Sequence, residues 1–178
     1  GAALGTFRLG VLKYNPDNSL VRHYHRDQGK GSITNNQVLS FGEDKKGNLW
    51  IGTDGGGLFR LNHDMNTFDR PENTGLKKGE VVKCIYTDRL ANFWLGTWDV
   101  GMIRYDPYHR VSEQFHPDRN NFASRHVWEI EPDSLGNFWI GTAGDGLHTM
   151  DRETGTFTRH RYNALHPDWL SRPPIDKG

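Results

Sequence analysis

Short apolar runs bounded by Gly, Asn and Asp recur along the whole chain. Val38-Leu39-Ser40-Phe41 precedes a polar stretch ending in Gly47-Asn48, and Leu49-Trp50-Ile51 follows it. The same order returns as Val82-Lys83-Cys84-Ile85, Ala91-Asn92 and Phe93-Trp94-Leu95. It returns again as Val127-Trp128-Glu129-Ile130, Gly136-Asn137 and Phe138-Trp139-Ile140. Runs this short, closed by turn residues on both sides, predict strands joined by hairpins. We label the run before the turn strand A and the run after it strand B. No segment carries a useful length of 3.6-residue apolar period, which excludes solenoids of helix pairs.

Strand B ends each time in the same tetrapeptide: Trp50-Ile51-Gly52-Thr53, Trp94-Leu95-Gly96-Thr97 and Trp139-Ile140-Gly141-Thr142. A worn copy, Leu4-Gly5-Thr6, opens the chain. The glycines fall at 5, 52, 96 and 141, so the spacings are 47, 44 and 45 residues. A fixed period in this range marks a repeat architecture. Asp44, Asp88 and Asp133 each lie eight residues before the glycine and are expected to brace the A–B turn through side-chain to backbone hydrogen bonds. The recurring tryptophans are expected to pack between units. After the threonine comes a connection ending in Gly10, Gly57, Gly101 or Gly146, a position that calls for a positive φ or close backbone approach.

Strand C follows as Val11-Leu12-Lys13-Tyr14, Leu58-Phe59-Arg60-Leu61, Met102-Ile103-Arg104-Tyr105 and Leu147-His148-Thr149-Met150. A less regular strand D is expected over residues 20–25, 67–70, 111–116 and 156–162. Four short antiparallel strands in a unit of about 45 residues make the blade of a β-propeller. The fold class is therefore all-β, with about four blades of a partial propeller spanning 1–178. The blades cover roughly 1–27 (lacking strand A), 36–71, 80–116 and 125–162, with 163–178 as a connector into a next blade. Edges left by such a slice are expected to pair with other blades of the same propeller or with a second copy of the chain.

Composition removes several function classes. The 22 basic and 22 acidic residues balance to a formal charge of +0, and no basic block offers the footprint of a nucleic-acid binder. No apolar run reaches the length of a membrane span, and no leader is visible. The one cysteine, Cys84, reads as a small buried hydrophobe. Gly55-Gly56-Gly57 is a hairpin run, not a phosphate loop opening a helix. His23 and His25 alternate on one strand face, and two ligands without a third do not make a metal site. No cofactor, metal or catalytic residue is expected.

The pattern Asp-x-x-[Gly/Ala]-Asn-[Leu/Phe]-Trp-[Ile/Leu]-Gly-Thr, followed by x-x-x-Gly-[Leu/Met], resembles the two-component regulator propeller repeat. The copies on Asp44, Asp88 and Asp133 match nearly throughout; the first matches only over residues 4–15. The resemblance implies a periplasmic sensor ectodomain of a hybrid two-component system. In that family two seven-bladed propellers precede a β-sandwich, a membrane helix and a histidine kinase, and many members sense oligosaccharides. This sequence contains none of the kinase, sandwich or membrane segments. The resemblance implies a non-catalytic segment, an oligosaccharide ligand, and a membrane link only through a segment outside this sequence.

Residues copied into every blade are scaffold, so function is sought where blades differ. One propeller face gathers the B–C loops and the D–A connectors. The sequence places Asn36, Asp54, Trp98, Asp99, Arg125, His126 and Asp145 there. An exposed indole stacks on the apolar face of a sugar ring, while Asp, Asn, Arg and His bond its hydroxyls. A carbohydrate-active enzyme on the same fold would instead need two carboxylates, or a His–Tyr pair, converging in a cleft.

Overall fold

The computed structural model describes residues 2–6, 8–15, 20–26, 31–62, 66–118 and 122–160; the expected connector 163–178 lies outside them. The described residues form strands and no helix. The first blade is β1 (Ala2–Gly5), β2 (Val11–Asn15) and β3 (Leu20–Tyr24). The second holds β4 (Val38–Glu43), β5 (Leu49–Thr53), β6 (Gly57–Asn62) and β7 (Thr67–Asp69). The third holds β8 (Val82–Thr87), β9 (Phe93–Thr97), β10 (Met102–Asp106) and β11 (Val111–Phe115). The fourth holds β12 (Val127–Pro132), β13 (Phe138–Thr142), β14 (Leu147–Met150) and β15 (Phe157–His160). Within each sheet every strand pairs antiparallel with its chain neighbours, as in propeller blades. The fold is an all-β partial propeller.

The A–B turn is built around its aspartate. Asp44 Oδ1 accepts the backbone N–H groups of Lys46 and Asn48, both at 2.9 Å. Its Oδ2 accepts Asn48 Nδ2 at 2.9 Å and the Trp50 indole N–H at 3.0 Å. Asp88 repeats the set with Leu90, Asn92 and Trp94. Asp133 holds Leu135 and Asn137 in the same way, while Trp139 stacks on His160 at 5.3 Å. In the second and third blades one carboxylate thus fixes the turn and orients the strand B indole. The turn needs a left-handed residue: Gly47 has φ 75°, Gly136 has φ 89°, and Ala91 takes φ 64° despite its Cβ.

The Gly-Thr pair has two separate tasks. The threonine hydroxyl closes the B–C loop by donating to the carbonyl of the later glycine, at 3.0 Å for Thr53, 2.7 Å for Thr97 and 2.5 Å for Thr142. The glycine before it makes room for the next blade. A Cβ at Gly52 would meet Ser40 Oγ of its own blade and, at 2.7 Å, Val82 Cγ1 of the next, and one at Gly96 would meet Cys84 Sγ at 2.5 Å and Val127 Cγ1 at 2.8 Å. Those valines open strand A of the following blade.

The core therefore lies between blades. Val11, Ile33, Val38, Ile51 and Phe59 join the first and second blades. Trp50, Leu58, Val82, Phe93, Leu95 and Ile103 join the second and third. Trp94, Met102, Phe122, Val127, Phe138 and Ile140 join the third and fourth. Each fully buried Val, Leu, Ile or Phe contributes roughly 1.5–3 kcal/mol of transfer free energy. Cys84 sits in the last cluster, where burial and the nearby Glu129 push its thiol up to about 12, so it is inert as a nucleophile.

Candidate functional site

Strand A carries an irregularity in each of the three four-stranded blades. Val82 pairs with Thr97 and Cys84 with Gly96, so Lys83 is an extra residue. Leu39 and Trp128 are the extra residues at the same place in β4 and β12. A bulge of this kind breaks the in–out alternation and re-aims one side chain.

The connectors are tied to the B–C loops by backbone bonds that recur in register. Gly10 N–H donates to Asn36 O at 3.0 Å, Gly57 N–H to Glu80 O at 3.0 Å, and Gly101 N–H to Arg125 O at 2.9 Å. One residue further on, Asp54, Trp98 and Ala143 donate to the carbonyls of Gln37, Val81 and His126. Residues 36, 80 and 125 are thus equivalent, and each lies beside the loop that follows a Gly-Thr pair. Gly101 is confined to glycine by φ 80° and by the Phe115 carbonyl, which lies where a Cβ would go.

These devices assemble one cluster. The Trp98 ring lies 5.5 Å from Trp128 at 77°, edge to face, and 4.8 Å from His126. Lys83 Nζ stands 4.5 Å from the Trp128 ring centre and 5.3 Å from that of Trp98. His126 Nε2 lies 3.9 Å from Asp99 Oδ1. Trp98 is half-buried, Trp128 is 49% exposed and Asp99 is exposed. The result is an aromatic shelf with a cation, an imidazole and a carboxylate at its edge.

Beside the shelf lies Glu80, only 4% exposed, whose Oε1 finds no hydrogen-bond partner among the described residues. Burial pushes its carboxyl above the usual range, the Asp99 charge adds to this, and the Asp99 and Lys77 backbone amides and the Lys77 charge oppose it. Glu80 occupies the connector position of Asn36 and Arg125. That equivalence was the signal that could have found it.

Of the seven residues singled out in the sequence, Trp98, Asp99 and His126 come together. The other four are engaged locally. Asn36 Oδ1 accepts the Arg26 amide, and Asn35 Nδ2 donates to the Asp54 carbonyl. Arg125 pairs with Asp118. Asp145 lies 3.6 Å from the Arg159 guanidinium, whose Nε donates to the Asp145 carbonyl at 2.6 Å. Lys83 and Trp128 were missed because alternation along strand A does not reveal the bulge. His23 and His25 lie 5.0 Å apart, and no group of three or more His, Cys, Asp or Glu placed to hold a metal occurs among the described residues.

Residues 32–55 match the two component regulator propeller family, so the chain carries that repeat. No curated protein matches the sequence. Among solved structures, the chain resembles the extracellular domain described as that of hybrid two component system BT3049 from B. thetaiotaomicron. The TM-score is 0.71 and the identity 22%, over 88% of this chain and 21% of that one. A second such domain, BT4673 from the same organism, gives a TM-score of 0.70 at 22% identity, over 88% and 23%. PorZ, a surface component of the type-IX secretion system of Porphyromonas gingivalis, gives 0.66 at 22% identity, over 85% and 23%. These likenesses show the fold. The chain spans about a fifth of the length of each.

Proposed function

We propose that this chain is a non-catalytic, ligand-sensing propeller segment of a periplasmic hybrid two-component sensor. It recognises an oligosaccharide and signals to a histidine kinase that controls glycan-utilisation genes. The observation that supports this best is the Trp98–Trp128 pair, two indole planes at 77° rimmed by Lys83, His126 and Asp99. Such planes stack on the apolar faces of successive sugar rings, and the rim supplies donors and an acceptor for hydroxyls. Calorimetry of the complete ectodomain against a glycan panel tests the reading. A glycan should bind, and Trp98→Ala should weaken it at least about tenfold. Absence of any glycan ligand, or full affinity retained in Trp98→Ala, defeats it.

One observation favours a second reading, a carbohydrate-active enzyme. Glu80 and Asp99 are two adjacent carboxyl groups, and the burial of Glu80 favours its protonated form, as a general acid requires. Turnover of a polysaccharide that is lost in Glu80→Gln would establish it, and no turnover of the glycan that binds would remove it.

A further inference from the structure

The clefts between blades on the face opposite the shelf differ in whether an arginine enters them. Between the third and fourth blades, Arg152 of the β14–β15 turn enters the cleft. Its guanidinium donates to Asp88 Oδ2 at 2.9 Å and lies 4.7 Å from the Phe138 ring centre and 5.5 Å from that of Trp94. Between the second and third blades the equivalent turn residue is Pro107. Asp106 and Asp151 show the equivalence, since each caps its turn by accepting the amides two and three residues on.

Everything else that receives Arg152 is repeated. Asp44 stands for Asp88 and Trp50 for Trp94, with the same indole bond at 3.0 Å. The Trp50–Phe93 centroids lie 4.9 Å apart, against 4.8 Å for Trp94–Phe138. Where the guanidinium would lie there is a cavity of about 340 Å³, lined by Asp44, Trp50, Arg60, Asp106, Pro107 and Tyr108 among others. Its volume is that of a small-ligand pocket.

We propose that this cleft binds a guanidinium group, supplied by a small molecule or by an arginyl side chain of a polypeptide. Arg152 is the chain's own template for the pose: one N–H on Asp44 Oδ2, with the plane against the Trp50 indole, which lines the cavity while Phe93 lies buried behind it. Arg60 does not compete for the place. It pairs with Asp69 at 3.3 Å and lies 5.9 Å from the Trp50 centre, just as Arg104, paired with Glu113, lies 5.9 Å from that of Trp94 beside Arg152. Lys45 and Lys46 also line the cavity and are exposed to solvent; Asp106 lines it from the third blade but is paired with His109 at 2.6 Å, so Asp44 is the carboxylate left to receive a guanidinium. A planar guanidinium fits better than an ammonium, because it stacks while it donates.

The test is titration of the complete ectodomain with L-arginine, the peptide Gly-Arg-Gly and neutral citrulline, followed by the NMR signal of the Trp50 indole N–H. Arginine or the peptide should shift it saturably and citrulline should not. Binding by the peptide at least equal to that of arginine assigns a polypeptide source; binding by arginine alone assigns a small molecule. Asp44→Asn should weaken binding roughly tenfold. Pro107→Arg leaves the Asp44 turn intact and should abolish binding by filling the cleft from within. Equal shifts with citrulline, no saturable shift with either guanidinium probe, or binding that survives Pro107→Arg would each overturn the proposal.

Discussion

The interface between the second and third blades and that between the third and fourth are built from the same parts, yet one is closed by an ion pair and the other holds a cavity. In both, an aspartate binds its own turn and the strand B indole, and a phenylalanine from the next blade meets that indole edge to face. In both, a strand B glycine receives the next blade's valine. The difference that decides the cleft is in the turn, Pro107 against Arg152. The lesson is that cohesion rests on the glycine–valine contact and the aromatic pair, while the cleft above them is free to be filled or left open.

The shared part should break hardest. Gly52→Val and Gly96→Val each force a side chain into strand A of the same blade and into the next blade's valine, and each should cost about 3 kcal/mol in urea denaturation. At Gly141, where no described residue comes within 4 Å of a Cβ, the same change should cost less than about 1 kcal/mol. Equal losses at Gly96 and Gly141 would sink the claim that Gly52 and Gly96 make room for the side chains packed against them.

The part that differs comes next. Arg152→Ala leaves the Asp88 carboxylate, whose side chain is 1% exposed, without its cation and uncovers Phe138. With the arginine itself 27% exposed, a loss of about 2 kcal/mol is expected, measured by thermal unfolding. Pro107→Arg should stabilise the other interface by a smaller amount.

Acid separates the two interfaces further. Burial works to raise Asp88, but bonds from Trp94 and Asn92 and the charge of Arg152 outweigh it and hold its carboxyl below the ordinary value. Burial opposes a similar set of bonds from Asn48, Trp50 and Lys46 at Asp44, which is also held low. A folded pKa below the unfolded value of about 3.9 means that stability is fully present above that pH and is lost as pH falls through the folded value. The melting temperature should therefore drop on the acid side. Asp88→Asn or Asp44→Asn should flatten that drop, and Arg152→Met should make it shallower through Asp88 alone.

The smallest effect is local. Ala91→Gly removes the left-handed strain of an alanine in the third blade's turn and should raise stability by about 0.5–1 kcal/mol, after allowing for the more flexible unfolded chain. A lower melting temperature would show that the Ala91 methyl contributes more by packing than it costs in strain.

What could be read in the sequence was what is local or repeated. Asp44, Asp88 and Asp133 act on residues two to six positions away, so spacing alone exposed their role. The strands followed because the period recurs with its turn signals. The Arg152–Asp88 pair joins residues 64 positions apart, and nothing in either neighbourhood announces it. The candidate face was half legible. Trp98, Asp99 and His126 stood out as departures from the repeat. Glu80 passed unnoticed at the position where Asn36 and Arg125 were picked out, since its burial depends on a fold contact. Lys83 and Trp128 reach the shelf through a backbone irregularity that apolar patterning does not encode.

That irregularity has a consequence for how such a module diversifies. In each four-stranded blade the extra residue of the innermost strand stands outside the ladder register, so its identity is not tied to pairing or to the inter-blade core. Leu39, Lys83 and Trp128 occupy this place in successive blades: one aliphatic, one cationic, one aromatic. The propeller thus behaves like a typeface with one interchangeable character per blade, and a ring of such characters can spell a new surface while the machinery that holds them stays unchanged.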